Sequence, residues 1–180
     1  MEQILAIHQQ HFRDPSNVDA ECPVAAKSTG FLMGAVTRES LADFCTQSET
    51  KVFVARGGEN VAGCMIANFI PPEELQDVVW IDPCVRGVFL KNTKQRGLLY
   101  MEQIAVDKCH QRTGVSRQLL KFASSTLPPT ARMHSFISIK PRLNEASISF
   151  HRQMGFQLEG FFQKDNFWGM KDYMSALFIR

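Results

Sequence analysis

No apolar run in the 180 residues approaches the roughly 20 needed to cross a bilayer as a helix. Nor is there an excess of charge. Twenty Lys and Arg face 18 Asp and Glu, a formal net charge of +2, so the bulk charge calls for neither nucleic acid nor an anionic membrane surface. Cys22, Cys45, Cys64, Cys84 and Cys109 are odd in number, scattered, and never in a C-x-x-C pair. That pattern speaks against a disulfide framework and against a zinc site. Reduced, mostly buried thiols and no metal are therefore expected. Internal repeats, low-complexity tracts and linkers are absent from the sequence. The opening MEQILAIHQQHF has no basic n-region and no small-residue cleavage site, so a cytoplasmic protein is expected.

What is present is an ordinary globular composition, 44% hydrophobic and 21% charged, at the length of one domain spanning 1–180. QILAIHQQHF places Ile4, Ile7 and His11/Phe12 at the spacing of a short amphipathic helix. Thr37 is placed to cap a second short helix, RESLADFCTQ. KVFVAR and VAGCMIANF flank Gly57-Gly58-Glu59-Asn60 and read as a hairpin. LLYMEQIAV reads as a half-buried strand, followed by a helix whose inner face is Val115, Leu119, Phe122 and Ala123. HSFISIK is a strand stopped by Pro141, and NEASISFHRQM a helix between Asn144 as N-cap and Gly155 as stop. FQLEGFF and DYMSALFIR close the chain as strands. Helices mixed with antiparallel hairpins predict an α/β domain around a central mixed, mostly antiparallel sheet.

Between LLYMEQIAV and its helix lies Gln111-Arg112-Thr113-Gly114-Val115-Ser116. A helix starting there offers several unpaired backbone N–H groups and the positive end of its dipole. A glycine lets that backbone approach a ligand closely. The combination suits a phosphate or pyrophosphate, with Arg112, Arg117 and Lys121 adding charge. The loop is neither a Walker A sequence nor G-x-G-x-x-G. Taken alone, an ordinary strand-to-helix turn explains it as well.

About thirty residues past Gly114 comes NEASISFHRQMGF. Q-R-T-G-V-S resembles the acetyl-CoA motif of the Gcn5-related N-acetyltransferase (GNAT) family, Q/R-x-x-G-x-G/A. The later segment resembles that family's fourth-helix signature. Order, spacing and the intervening strand MHSFISIK fit as well, and the likeness is specific from about Leu98 to Phe162. It implies one GNAT-like domain whose sheet splays at the cofactor strand, with acetyl-CoA as co-substrate. It also implies pantetheine amides against the backbone of Ile104, Ala105 and Val106, and the pyrophosphate on the N–H groups of Gln111, Arg112, Thr113, Gly114, Val115 and Ser116. Asn144 matches the family residue near the pantetheine, and is equally a plain N-cap. Ser116 stands where the family has Gly or Ala, and Gln111 where arginine is commoner.

The resemblance further implies direct acetyl transfer to a primary amine of a small molecule, amino acid or peptide. An amine of pKa around 10 is mostly protonated at neutral pH, so a base must take its proton. Glu102 shares a strand face with Val106 and is the candidate base. Tyr100, on the same face, is the alternative. Where the family has Phe-Tyr, its tyrosine serving as acid to the departing thiolate, this chain has Phe150-His151. His151 is the candidate acid, since donation from an imidazolium to a thiolate runs downhill, although only roughly a quarter of such groups is protonated at pH 7. The family's first strand has no clear counterpart, which leaves an edge on which a homodimer can form. Lys91, Lys94 and Arg96 make a basic loop that attracts an acidic substrate group or is merely solvated. The missing tyrosine keeps a non-catalytic acyl-CoA-binding or sensing domain open as an alternative, beside a protein-modifying acetyltransferase.

Overall fold

The computed structural model describes residues 1–14, 30–69, 75–84, 86, 98–129 and 131–180. The readings made for 15–29, 71–74 and 87–97, with Cys22, Lys91, Lys94 and Arg96 among them, lie outside the described residues.

Periodicity builds the helices as the sequence predicts. Helix α1, Glu2–His11, buries Ile4, Ile7, His8 and His11 along one side. Helix α2, Arg38–Thr46, starts on a capping box: Thr37 accepts from the Ser40 N–H and the Ser40 hydroxyl from the Thr37 N–H. Helix α3 is Val115–Ser125 and helix α4 is Glu145–Gln153. On α3 the inner face is turned from the predicted one. Leu119, Leu120 and Ala123 are buried, whereas Phe122 is 62% exposed. One residue is about 100° of helix, so a core face centred on Ala123 takes in Leu119 and Leu120 within about 60° on either side and leaves Phe122 about 100° away, at the rim. There its ring meets Phe53 edge-on, with centroids 6.1 Å apart.

The strands are β1 Thr50–Gly57, β2 Asn60–Phe69, β3 Val78–Trp80, β4 Leu98–Val106, β5 Arg132–Lys140, β6 Gln157–Phe167 and β7 Met170–Ile179. The β1–β2 hairpin turns at Gly58 and Glu59 as expected. β3 has no counterpart in the sequence reading, because three residues are too few for alternation to show. β6 runs five residues past FQLEGFF, through QKDNF, of which Gln163, Lys164, Asp165 and Asn166 are exposed near the hairpin tip. The sheet order is β1-β2-β4-β5-β7-β6-β3. Among the described strands only β4 and β5 pair in parallel.

Helices cover both faces, as the alternation of β2 requires. Cys64, with Ala105 of β4, packs against Ile4, Ile7 and Leu41 of α1 and α2. Met65, with Met101 of β4, packs against Leu119, Leu120 and Ala123 of α3. α3 comes close enough because β2 carries Gly63. A Cβ there would lie 2.8 Å from the Val115 side chain and 2.9 Å from the Ala105 carbonyl. No strand precedes α1 among the described residues, so β1 forms one edge of the sheet and β3 the other.

Candidate active site

Strand pairing opens the site. β4 and β5 share a ladder only at Leu98↔Arg132, Leu99↔Met133 and Tyr100↔His134. Past that point β4 stays with β2 as far as Val106, and β5 stays with β7. The Ser135 hydroxyl still reaches the Met101 carbonyl at 3.2 Å, and then the two strands diverge. Backbone N–H and C=O groups on the inner edges of the gap therefore lack a neighbouring strand. Buried edges of this kind require a partner. The Asp107 N–H bonds the Ala62 carbonyl on β2. By strand alternation Val106 and Ile104 present their backbone groups to the gap. One of these is already used, since His11 Nε2 on α1 lies 2.7 Å from the Val106 carbonyl.

At the far end of the gap the chain turns from β4 into α3 through a 3-10 turn, Lys108–His110. Asp107 caps that turn by accepting from the Cys109 N–H, and its other oxygen accepts from Gln10 at 3.1 Å. Gln10 and His110 hold the Asp107 carboxyl below the usual carboxylate range. The Gln10 side-chain oxygen, Oε1, in turn accepts from the Lys108 N–H. Arg112 has φ +63 and Gly114 φ +90. The first helical bond runs from Gln118 N to Gly114 O, and no side chain caps α3. The N–H groups of Val115, Ser116 and Arg117 thus have no intrahelical acceptor and are free to meet an anion. A Cβ on Gly114 would touch nothing within 4 Å, so its left-handed φ, not crowding by protein, calls for glycine there.

A single cavity of about 600 Å³ joins this helix start to the mouth of the gap. Glu102 sits midway. The β2 pairing passes from Ile66↔Gln103 to Ala67↔Met101, which leaves Glu102 as the extra residue of a bulge. Its Oε2 accepts from Asn68 Nδ2 at 2.6 Å. Burial pushes its carboxyl pKa up, the Asn68 bond only partly opposing this. Beyond Glu102 the cavity is walled by rings: Tyr100, Phe136, Phe162, Phe167, Trp168 and Tyr173. Burial likewise raises the Tyr173 pKa.

The family model described as "Acetyltransferase (GNAT) family" matches residues 19–156, well over half of the chain. This chain belongs to the GNAT family. Its fold is similar to that of smu.2055 from Streptococcus mutans UA159, at 14% identity and TM-score 0.65, covering 99% of this chain and 91% of that one. NAA60 from Arabidopsis thaliana in complex with acetyl-CoA is similar at 14% identity and TM-score 0.58, with coverages of 82% and 85%. The Escherichia coli ribosomal-protein-S18-alanine N-acetyltransferase is similar at 15% identity and TM-score 0.55, with coverages of 81% and 77%. Among curated protein sequences, none matches this one. As a GNAT acyltransferase the protein uses acetyl-CoA, and the open α3 start and the splayed strands fit a pyrophosphate and a chain of amides.

In this GNAT domain Ile104, Ala105, Val106, Gln111, Arg112, Gly114, Val115, Ser116 and Asn144 all line the cavity, as do Glu102 and His151. Thr113 stands apart from that lining. Its hydroxyl is spent on the His110 carbonyl at 2.6 Å, bracing the loop. Arg117 also lines the cavity, whereas Lys121, a turn further on, does not. Both polar atoms of the Asn144 amide have protein partners. Oδ1 accepts from the Ser147 N–H at the α4 start, and Nδ2 donates to the Phe31 carbonyl at 2.9 Å.

His151 is buried, packed edge-on against Phe150 and Phe156. Burial lowers its pKa to about 4, the Ser147 carbonyl at 2.7 Å only partly opposing this. A neutral ring bonded to that carbonyl carries its proton on Nδ1. Nε2, which has no partner, is then an acceptor. An imidazole of this kind is protonated in about one molecule in a thousand at pH 7. A lowered pKa makes donation to a thiolate still more downhill but leaves almost no imidazolium at neutral pH to make it, so burial among rings weighs against His151 as the acid through population, not driving force.

Two contributors were invisible to the sequence reading. Gln10 and His11 shape the loop and the end of β4 from more than 90 residues away, with no local motif to announce them. The ring wall is drawn from β4, β5, β6 and β7, so no single segment carries its signal.

Proposed function

We propose that the protein is a cytoplasmic N-acetyltransferase that moves the acetyl group of acetyl-CoA directly to a primary amine, with Glu102 as general base. The observation that carries this reading is the place of Glu102. It is a desolvated carboxylate with a raised pKa, on a bulge, between the α3 start and the open, ring-lined end of one cavity. A base is most effective when its pKa approaches the working pH, and burial moves Glu102 in that direction. The amide of Asn68 fixes its orientation. Acetyl-CoA supplies the acyl thioester. An arriving ammonium loses two protons in the course of transfer, the first to Glu102. The second ends on the thiolate as the C–S bond breaks and the C–N bond forms. His151 is left out of this account because it is neutral. It shapes the cavity and offers an acceptor at Nε2.

The test is release of CoA thiol from acetyl-CoA in the presence of pooled amines, for the parent and for Glu102→Gln. The parent should show an acid limb in kcat/KM above the ordinary carboxylate range. Glu102→Gln should lose that limb and roughly 10²–10⁴-fold of rate, with CoA affinity retained. A variant with parental rate and pH profile would remove Glu102 from the chemistry.

A further inference from the structure

The end of the cavity beyond Glu102 is unusual in what it lacks. Among the described lining residues Glu102 is the only carboxylate, and the only Lys or Arg residues are Arg112 and Arg117, at the α3 end. Lys164 comes within 5.5 Å of the Phe162 ring but is paired to Asp77 at 2.7 Å and does not line the cavity. In place of charge there is an unbroken row of rings. At the tip of the β6–β7 hairpin Phe167 stacks on both Trp168 and Tyr173, in each case at 4.6 Å and inclined by 23°. Phe162 lies 5.7 Å from Phe167, and Phe136 lies 6.0 Å from Phe162. Tyr100 follows at 6.1 Å from Phe136, two residues before Glu102 on the same strand.

The outer end of this row does not behave as core. Trp168 is 63% exposed and holds φ +52, a left-handed conformation that bulky residues seldom adopt. A hairpin tip is normally served by small polar residues. A large ring kept in water at the mouth of a cavity is a surface awaiting an apolar partner.

Resting on the transferase reading above, we propose that the acceptor is a primary amine joined by a short linker to an aromatic group, with no carboxylate beside the amine. The ring row stacks on the aromatic body, and ring faces and Glu102 both favour the ammonium. A carboxylate next to the amine would meet Glu102 with no described cation to answer it. Hydroxyl groups of a sugar-like amine would be desolvated against rings and left unpaired. A free arylalkylamine and the N-terminus of a peptide beginning with an aromatic residue share the required chemistry.

The experiment compares kcat/KM for phenethylamine, butylamine, free phenylalanine, kanamycin and a phenylalanyl peptide amide, on the parent and on Trp168→Ala. Phenethylamine or the phenylalanyl peptide should exceed butylamine, phenylalanine and kanamycin by roughly tenfold to a hundredfold. The better of the two favoured substrates assigns the source. Trp168→Ala, at an exposed tip, should raise KM for the aromatic amine severalfold while leaving the Kd for CoA unchanged. Equal use of butylamine or free phenylalanine overturns the inference, as does an unchanged KM in Trp168→Ala. Glu102-dependent turnover of non-aromatic amines alone would sink the substrate class and leave the transfer reading standing. CoA binding with no turnover of any amine would overturn both.

Discussion

The two ends of the cavity are made of different material. The α3 end is backbone: the unpaired edge of β4 and the N–H groups of Val115, Ser116 and Arg117, released by a left-handed Gly114. The far end is side chain: rings carried on β4, β5, β6 and β7. A backbone site is defined by where the chain turns, so it tolerates many side chains and demands few particular ones. A side-chain site can be rewritten residue by residue while the strands stay as they are. One domain can therefore keep a constant co-substrate and change its acceptor, and fold alone does not name the acceptor.

The comparison breaks most sharply in acid, where both ends fail together. His134 among the rings, His151 on α4 and His8 beneath β2 are all buried. Burial lowers them to about 3, about 4 and about 4 respectively. Their folded values lie below the unfolded value of about 6.5, so from pH 6.5 downward the unfolded chain binds more protons. Stability from these groups is complete above pH 6.5 and is lost as pH falls toward 4. The loss should be about 2 kcal/mol per histidine at pH 5, or on the order of 6 kcal/mol for the three. Urea midpoints at pH 7 and pH 5 measure it, and His151→Phe should return about a third. A midpoint independent of pH over this range would show that these rings do not stay neutral.

Gly114→Val should separate the two ends. Forcing a β-branched residue to φ +90 costs about 1–2 kcal/mol, and its side chain would crowd the approach to the α3 N–H groups. CoA affinity should fall roughly tenfold or more, with the acceptor KM nearly unchanged. Calorimetric titration of CoA and saturation kinetics with amine give the two numbers. An equal loss in both would mean that the loop positions the whole cavity rather than one ligand.

The same division explains what was legible in the sequence. Gly114, Asn144 and the small residues around them are constrained by backbone geometry, so their types and spacing survive as a pattern. The capping box at Thr37 and the hairpin at Gly58 are legible for the same reason. Phe136, Phe162 and Tyr173 look like alternating strand residues in any sheet. Only the sheet order, with β7 lying between β5 and β6, brings them to one wall. On α3 the periodicity at Phe122 fits a rim position as well as a core one, so the pattern alone does not separate the two. The pKa of His151 was out of reach altogether, since it depends on Phe150, Phe156 and Phe178 closing around the ring.

The smallest effect is expected where the sequence pointed to the most chemistry. His151→Phe replaces one ring by another among phenylalanines and removes the bond to the Ser147 carbonyl and the unpartnered Nε2. If the imidazole were the acid for the leaving thiolate, kcat would fall along an alkaline limb at its pKa. A pKa near 4 would then leave almost no active form at neutral pH, and raising the pH from 5 to 7 would cut the rate about a hundredfold. With the ring neutral, kcat for His151→Phe should stay within about threefold of the parent, and the pH profile should keep only the limb set by Glu102. A larger loss of kcat, restored by His151→Gln with its amide acceptor, would assign Nε2 a positioning role toward the bound co-substrate. A loss that neither variant restores, with an alkaline limb in the parent, would return the proton to His151.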